Sequence, residues 1–198
     1  AMCEVVGQGL AKDGIERGDP ATWTVERPAH LQALRSHPAF REVGSPAVLA
    51  AIDTIMGGRS YPAPKDWGSL FIAFPTAQRW RLPIGGWHID AKYTSPLKPP
   101  GGVKTFALLG DVEPRRGGTL VVGGSHRLVH RWFRDSPPPT GANSAAMRKL
   151  LLSLPYLGDL QSGGEGSERI ARFMDSVDCS CDIPLRVVEL TGSAGDVF

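Results

Sequence analysis

The sequence predicts a mainly β protein, an antiparallel sandwich or jelly roll that follows a helical N-terminal region. The chain contains 24 glycines and 17 prolines, together 41 of 198 residues, whereas their usual combined share is roughly 12%. Turns therefore divide the chain into short elements. From residue 69 onward, short apolar runs alternate with Gly/Pro turns and no helix separates the first four of them, which favours antiparallel strands.

Residues 1 to about 58 are predicted to be helical. The clearest helix begins at Ser45-Pro46, because serine is a good N-cap and proline is tolerated at the first helical position. Gly57-Gly58 ends it, and a second short helix begins near Pro28. We expect these helices to buttress a sheet. The apolar residues with helical spacing are Val48, Leu49, Ile52, Ile55 and Met56.

Five strands are predicted after residue 69, interrupted by a helical insert at about 135–184. The insert contains two short helices, over Ala145–Leu154 and Ser167–Val177. Gly192–Asp196 forms a tight turn that leads into Val197-Phe198, where a new strand begins, so we expect the chain to lack its C-terminal strands. The five strands are Leu70–Phe74, Trp87–Ala91, Val103–Leu109, Thr119–Val122 and Leu185–Leu190.

Composition and charge exclude several functional classes. The chain is long enough for one domain, and its 41% hydrophobic content is too high for a disordered protein. Neither a run of about 20 apolar residues nor a charged-then-apolar leader is present, so we expect no membrane partner. The 22 basic and 20 acidic residues form no dense basic block, so we expect no nucleic acid. Three cysteines without a pairing framework predict reduced thiols in a cytoplasmic protein.

Trp87-His88-Ile89-Asp90 is the strongest candidate for chemistry. Side chains of a strand alternate between its faces, so His88 and Asp90 are predicted to point the same way, on an inward face. An imidazole and a carboxylate there would supply two ligands of the 2-His-1-carboxylate triad that binds Fe(II). The tripeptide alone is not specific, and an ordinary hydrogen-bonded histidine or a zinc site are the alternatives.

A second stretch makes the pattern specific. Residues 111–127 read DVEPRRGGTLVVGGSHR and contain Gly-Gly-Thr-Leu-x-Val-x-Gly-Ser-His-Arg after an aspartate. Four features together resemble the phytanoyl-CoA dioxygenase family of Fe(II)/2-oxoglutarate oxygenases. They are this stretch, Trp-His-x-Asp at 87–90, the Gly195-Asp196 turn and the segment from Phe74-Pro75 through Trp80 to Trp87. The resemblance covers roughly residues 69 to 198.

The resemblance implies a double-stranded β-helix, the cupin-like jelly roll of that family. Residues 1–198 would then be a single oxygenase domain with a jelly-roll core at about 69–198. The N-terminal helices at about 1–58 would buttress it, and the helical insert would interrupt it.

The resemblance also implies the chemistry. His88 and Asp90 would hold Fe(II), with 2-oxoglutarate as cofactor, O₂ as co-substrate, and succinate and CO₂ as co-products of hydroxylating a small organic molecule. The carboxylate of Asp90 favours hydroxylation over halogenation. The family's second histidine ligand and its 2-oxoglutarate-binding arginine would lie beyond Phe198, and we do not expect His126 or His130 to replace that ligand. A jelly-roll binding or regulatory module without iron is the alternative class.

Six further residues are candidates for contacts with the cofactor or the substrate. Phe106 aligns with an aromatic residue that lines the 2-oxoglutarate pocket in some relatives. Each residue also has a structural alternative, such as core packing, strand propensity or a solvated edge. The cofactor candidates are Phe106, Thr119 and Thr76, and the substrate candidates are Trp87, Tyr93 and Arg79.

Overall fold

The fold consists of two compact units. A computed structural model describes residues 1–25, 28, 30–64, 66–67, 69–74, 79–90, 102–135, 144–164, 166 and 168–198. The first unit comprises Ala1–Arg79, Val103–Gly117 and Thr191–Phe198. The second unit comprises Trp80–Gly102 and Gly118–Leu190.

Helices dominate the first unit. Helix α1 spans Met2–Ala11 and α2 spans Pro46–Met56. Helix α2 confirms the prediction, since the Ser45 hydroxyl accepts the Val48 N–H at 3.4 Å and Gly57 ends the helix with a left-handed φ of 65°. The short helix predicted near Pro28 is present as the second of three 3₁₀ helices, which span Pro20–Thr22, His30–Ser36 and Pro38–Gly44.

Extended backbone completes the first unit. Phe106 and Phe198 exchange two backbone hydrogen bonds of 2.9 Å each, and Val112 pairs with Gly192 in the same antiparallel sense. The tight turn predicted over Gly192–Asp196 is confirmed, because the Asp196 carboxylate accepts the N–H of Ser193 at 2.8 Å. These segments adjoin an apolar core formed by Val6, Leu10, Ile15, Leu31, Phe40 and Leu70.

The second unit combines one two-stranded antiparallel sheet with four helical segments. Strand β1 (Leu120–Gly123) pairs antiparallel with β2 (Arg186–Glu189). The helices are α3 (Ser125–Asp135), α4 (Ser144–Leu152), α5 (Pro155–Ser162) and α6 (Glu168–Ile170), which continues as a π-helical turn over Ala171–Asp175. These bounds confirm the last two predicted strands and both predicted insert helices. Helix α5 was not predicted, although proline at its first position is a start signal.

A glycine joins β1 to α3 and explains part of the Gly-Gly-Ser-His sequence. Gly124 has a φ of 85°, and a Cβ atom there would lie 2.2 Å from the Pro184 carbonyl oxygen. Only glycine accommodates both the left-handed backbone and this close approach. Helix α3 can therefore turn back and bury Leu128, Val129 and Phe133 in the core of the unit.

The expectation of a mainly β, double-stranded β-helix is wrong. Among the described residues only two strands of four residues each form a sheet, and helices account for most of the regular structure. The segments at 70–74, 87–90 and 103–109 have no regular secondary structure and join no sheet, although Ala107 makes an isolated bridge with Val197. An alternating apolar pattern shows which face of an extended segment can be buried, but it does not specify a partner strand.

Tyr156 gives the second unit a pH-dependent stability. Its hydroxyl is buried and donates to the Phe173 carbonyl oxygen at 3.1 Å, and burial raises the pKa of Tyr156 to about 12. An unfolded tyrosine has a pKa of about 10, so the folded state binds more protons between these values. The contribution of Tyr156 to the free energy of unfolding is therefore fully present below pH 10 and is lost as the pH rises from about 10 to about 12.

We expect the Tyr156→Phe variant to lose this dependence. The wild type should lose about 1.4 kcal/mol more free energy of unfolding than the variant between pH 8 and pH 11. At pH 8 the variant should be less stable by about 1 kcal/mol, because it leaves the Phe173 carbonyl without its donor. Urea denaturation at both pH values measures the two effects, and parallel losses in both proteins would contradict the assignment.

Candidate functional site

His88 and Asp90 lie side by side in the second unit. His88 Nε2 is 3.1 Å from Asp90 Oδ1. The predicted alternation is present, because Trp87 and Ile89 pack against the core of the unit. The orientation differs from the prediction, since the side chains of His88 and Asp90 are 71% and 48% exposed. The pair faces solvent instead of the interior of a barrel.

The second ring nitrogen of His88 is held by the backbone. His88 Nδ1 is 2.8 Å from the Gly86 carbonyl oxygen, and a carbonyl only accepts, so Nδ1 carries a hydrogen. Nε2 faces a carboxylate oxygen, which also only accepts. This contact is favourable when Nε2 is protonated or when a cation lies between Nε2 and Oδ1. Metal-binding histidines show the same arrangement, with the other ring N–H donated to a carbonyl or carboxylate.

The spacing of the two side chains fits adjacent ligands of one metal ion. An octahedral ion with bonds of about 2.1 Å holds neighbouring ligands about 3.0 Å apart, and the observed separation is 3.1 Å. Within the described ranges, no group of three His, Cys, Asp or Glu side chains is arranged to hold a metal. Among the described residues, His88 and Asp90 are therefore a pair and not a complete three-ligand site.

An open groove of about 320 Å³ lies beside His88. Gly86, Trp87, His88 and Ile89 line one side of it, and Ala145 and Arg148 of α4 line the other. Arg148 brings an exposed guanidinium to this groove, a group whose planar geometry matches a carboxylate. Sequence analysis missed Arg148, because its spacing from Ala145 indicates a shared helix face but not which segment that face meets.

Trp87 is the predicted substrate residue that the structure brings to the His88 groove. Its indole N–H donates to the Pro83 carbonyl oxygen at 3.4 Å, which orients the ring. Thr119, a predicted cofactor residue, belongs to the same unit but does not line the groove. Its side chain is exposed, and its carbonyl oxygen accepts the Leu190 N–H at 2.8 Å next to the sheet.

Two other candidates do not line this groove. Phe106 and Arg79 belong to the first unit. Phe106 is half-buried beside the C-terminal segment, and Arg79 is exposed. Thr76 and Tyr93 lie outside the described residues.

Comparisons with protein-family models, with curated proteins and with solved structures find no match to this chain. Function is therefore inferred from the residues and the geometry of the second unit. A search for bilayer-spanning helices in the described part of the chain finds none that is long and apolar enough.

Proposed function

We propose that the protein is an Fe(II)- and 2-oxoglutarate-dependent dioxygenase that hydroxylates a small organic molecule. The observation that carries the proposal is the His88–Asp90 pair, which has the spacing of adjacent metal ligands. The hydrogen bond from His88 Nδ1 to Gly86 supports it, because that bond leaves Nε2, beside Asp90, as the ring nitrogen that would bind a metal. The resemblance of residues 87–90 and 111–127 to phytanoyl-CoA dioxygenases points to the same chemistry.

In this proposal the protein would hold the iron and orient the substrate, and the iron would supply the oxidation chemistry. When bound, iron with 2-oxoglutarate and O₂ would supply hydroxylation chemistry, in which one oxygen atom enters a C–H bond of the substrate and the other enters succinate as CO₂ is released. His88 and Asp90 would hold the ion, and the Asp90 carboxylate would neutralise one of its charges. Of the predicted contacts with 2-oxoglutarate, the proposal keeps Thr119, which belongs to the same unit as His88 and Asp90.

The groove beside His88 is the proposed substrate site. Its volume of about 320 Å³ suits a small molecule. Trp87 and Ile89 offer apolar surface on one side, and Arg148 offers a positive charge on the other. A substrate with an apolar body and an anionic group therefore fits best, because a guanidinium forms strong paired hydrogen bonds with a carboxylate.

A ligand-binding module without iron is the alternative function. The exposure of His88 and Asp90 favours it, since catalytic metal sites usually have three protein ligands and limited access to water. Such a module would bind an anionic ligand in the groove without turning it over.

We propose a cytoplasmic location on the basis of the cysteines. Cys3, Cys179 and Cys181 are all free thiols, and the Cys3 thiol donates to the Leu109 carbonyl oxygen at 3.1 Å. Disulfides are rare in the reducing cytosol, where such thiols persist.

Metal dependence tests the proposal. The purified full-length protein is supplied with Fe(II), ascorbate and carboxyl-labelled 2-oxoglutarate, and the release of labelled CO₂ is measured. We expect release that stops when a chelator removes the iron and returns with added Fe(II) but not with Mg²⁺, because a nitrogen-containing ligand set favours iron. Absence of release from the folded, iron-supplied protein would support the binding module instead.

A further inference from the structure

One face of α3 carries two histidines that the proposed function does not use. The helix buries Leu128, Val129 and Phe133 on one side. His126 and His130 are both exposed. The four-residue spacing places them on adjacent turns of the same face, where their side chains are neighbours.

We propose that His126 and His130 form a surface chelate for a divalent transition metal such as Cu²⁺, Ni²⁺ or Zn²⁺. Helical residues four apart have Cβ atoms about 5–6 Å apart, and two helical histidines at this spacing bind zinc in metalloproteases. Neutral imidazole suits these three metals, whereas Mg²⁺ and Ca²⁺ prefer oxygen ligands. The helix backbone is already ordered, so metal binding fixes only the two side chains.

The basic side chains of α3 repel a cation bound near His126 and His130, but two of them are held in other contacts. Arg131 donates to the Cys181 carbonyl oxygen at 2.6 Å, which ties its guanidinium to the β2 side of the unit. Arg134 is paired with Asp135 at 2.6 Å, so this ion pair is nearly neutral as a whole. Arg127, which is exposed next to His126, is the main opposing charge. The bonds from the two imidazoles to the metal must therefore outweigh the repulsion between the metal and one solvent-exposed guanidinium. Water and salt screen that repulsion strongly.

This chelate is independent of the proposed iron site. It uses neither His88 nor Asp90, and it needs no residue of the first unit. The remaining coordination positions of the metal would face solvent, so water or an added ligand would complete them.

Calorimetric titration with Ni²⁺ of the chelator-stripped, full-length protein tests the proposal. We expect the His126→Ala and His130→Ala variants each to bind Ni²⁺ at this helix at least about tenfold more weakly than the wild type, since loss of a ligand costs no less than loss of its supporting hydrogen bond. The Asp90→Ala variant should keep this binding, which separates the chelate from the iron site.

Two matched variants complete the design. The Arg127→Gln variant should bind Ni²⁺ about twofold more tightly, because it removes a nearby positive charge. The His37→Asn variant removes another exposed histidine but keeps an acceptor for the Ala39 N–H, and it should bind as the wild type does. Wild-type affinity in the folded His126→Ala or His130→Ala variant, or no Ni²⁺ binding by the wild type, would overturn the proposal.

Discussion

Replacing Arg169 with methionine will destabilise the second unit by about 2 kcal/mol. Arg169 is only 8% exposed, and its guanidinium donates to the carbonyl oxygens of Leu160 at 2.9 Å, Asp159 at 3.1 Å and Pro83 at 3.3 Å. Asp159 also accepts the Gly163 N–H at 2.7 Å and Pro83 also accepts the Trp87 indole N–H. Methionine fills a similar volume but removes all three hydrogen bonds and leaves the buried Leu160 carbonyl without its Arg169 donor.

The position of Arg169 explains why a charge is tolerated in this core. Burial lowers the pKa of Arg169, and the neighbouring charge of Arg172 lowers it further. The carbonyl acceptors and the negative end of the α5 dipole offset this cost. The bond to Pro83 also anchors the segment that leads to His88, so Arg169 links the core of the unit to the candidate site.

Arg172 provides the matched control. The guanidinium carbons of Arg169 and Arg172 each lie 5.0 Å from the centre of the Phe173 ring. Arg172 is exposed, however, and pairs with the exposed carboxylate of Asp159, so the Arg172→Met variant should lose less than about 1 kcal/mol. Urea denaturation of both variants decides the matter. Equal losses would show that contact with the ring, and not the buried hydrogen bonds, stabilises the unit.

Replacing Asp90 with alanine will abolish 2-oxoglutarate turnover while the chain stays folded. The change removes one of the two proposed iron ligands, and we expect succinate release to fall by about 100-fold or more. The Asp90 side chain is 48% exposed, so its loss should change the free energy of unfolding by less than about 0.5 kcal/mol. Succinate assays combined with circular dichroism measure both effects.

Asp66 provides a control for the loss of a carboxylate. It is exposed and forms a surface ion pair with Arg35 at 3.5 Å, which contributes little to stability. The Asp66→Ala variant should therefore release succinate at the wild-type rate. Unchanged release by the Asp90→Ala variant would contradict the assignment of the site.

Local signals predicted those elements that local interactions determine. Helix α2 was predicted because Ser45 and Gly57 are caps that act within a few residues. The runs at 120–123 and 186–189 are strands because each is the partner of the other. The run at 70–74 has the same apolar character but joins no sheet, and its surroundings depend on residues distant in the sequence.

The same distinction applies to the candidate site. The alternation of Trp87, His88, Ile89 and Asp90 is a property of extended backbone, and the sequence predicted it. Which side of the segment meets the core depends on the packing of Trp87 and Ile89 against distant elements, so the exposure of His88 was not predicted. Arg148 was missed for the same reason, because it reaches the groove through the packing of a helix more than fifty residues further along the chain.

An anaerobic titration of the full-length protein with Fe(II) and 2-oxoglutarate tests the central claim most directly. A 2-oxo acid chelated to ferrous iron gives a weak visible charge-transfer band, which reports binding without turnover. We predict that the band appears in the wild type and the Asp66→Ala variant and is lost in the Asp90→Ala variant. A folded wild-type protein that gives no band, or an Asp90→Ala variant that keeps it, would contradict an iron site at His88 and Asp90.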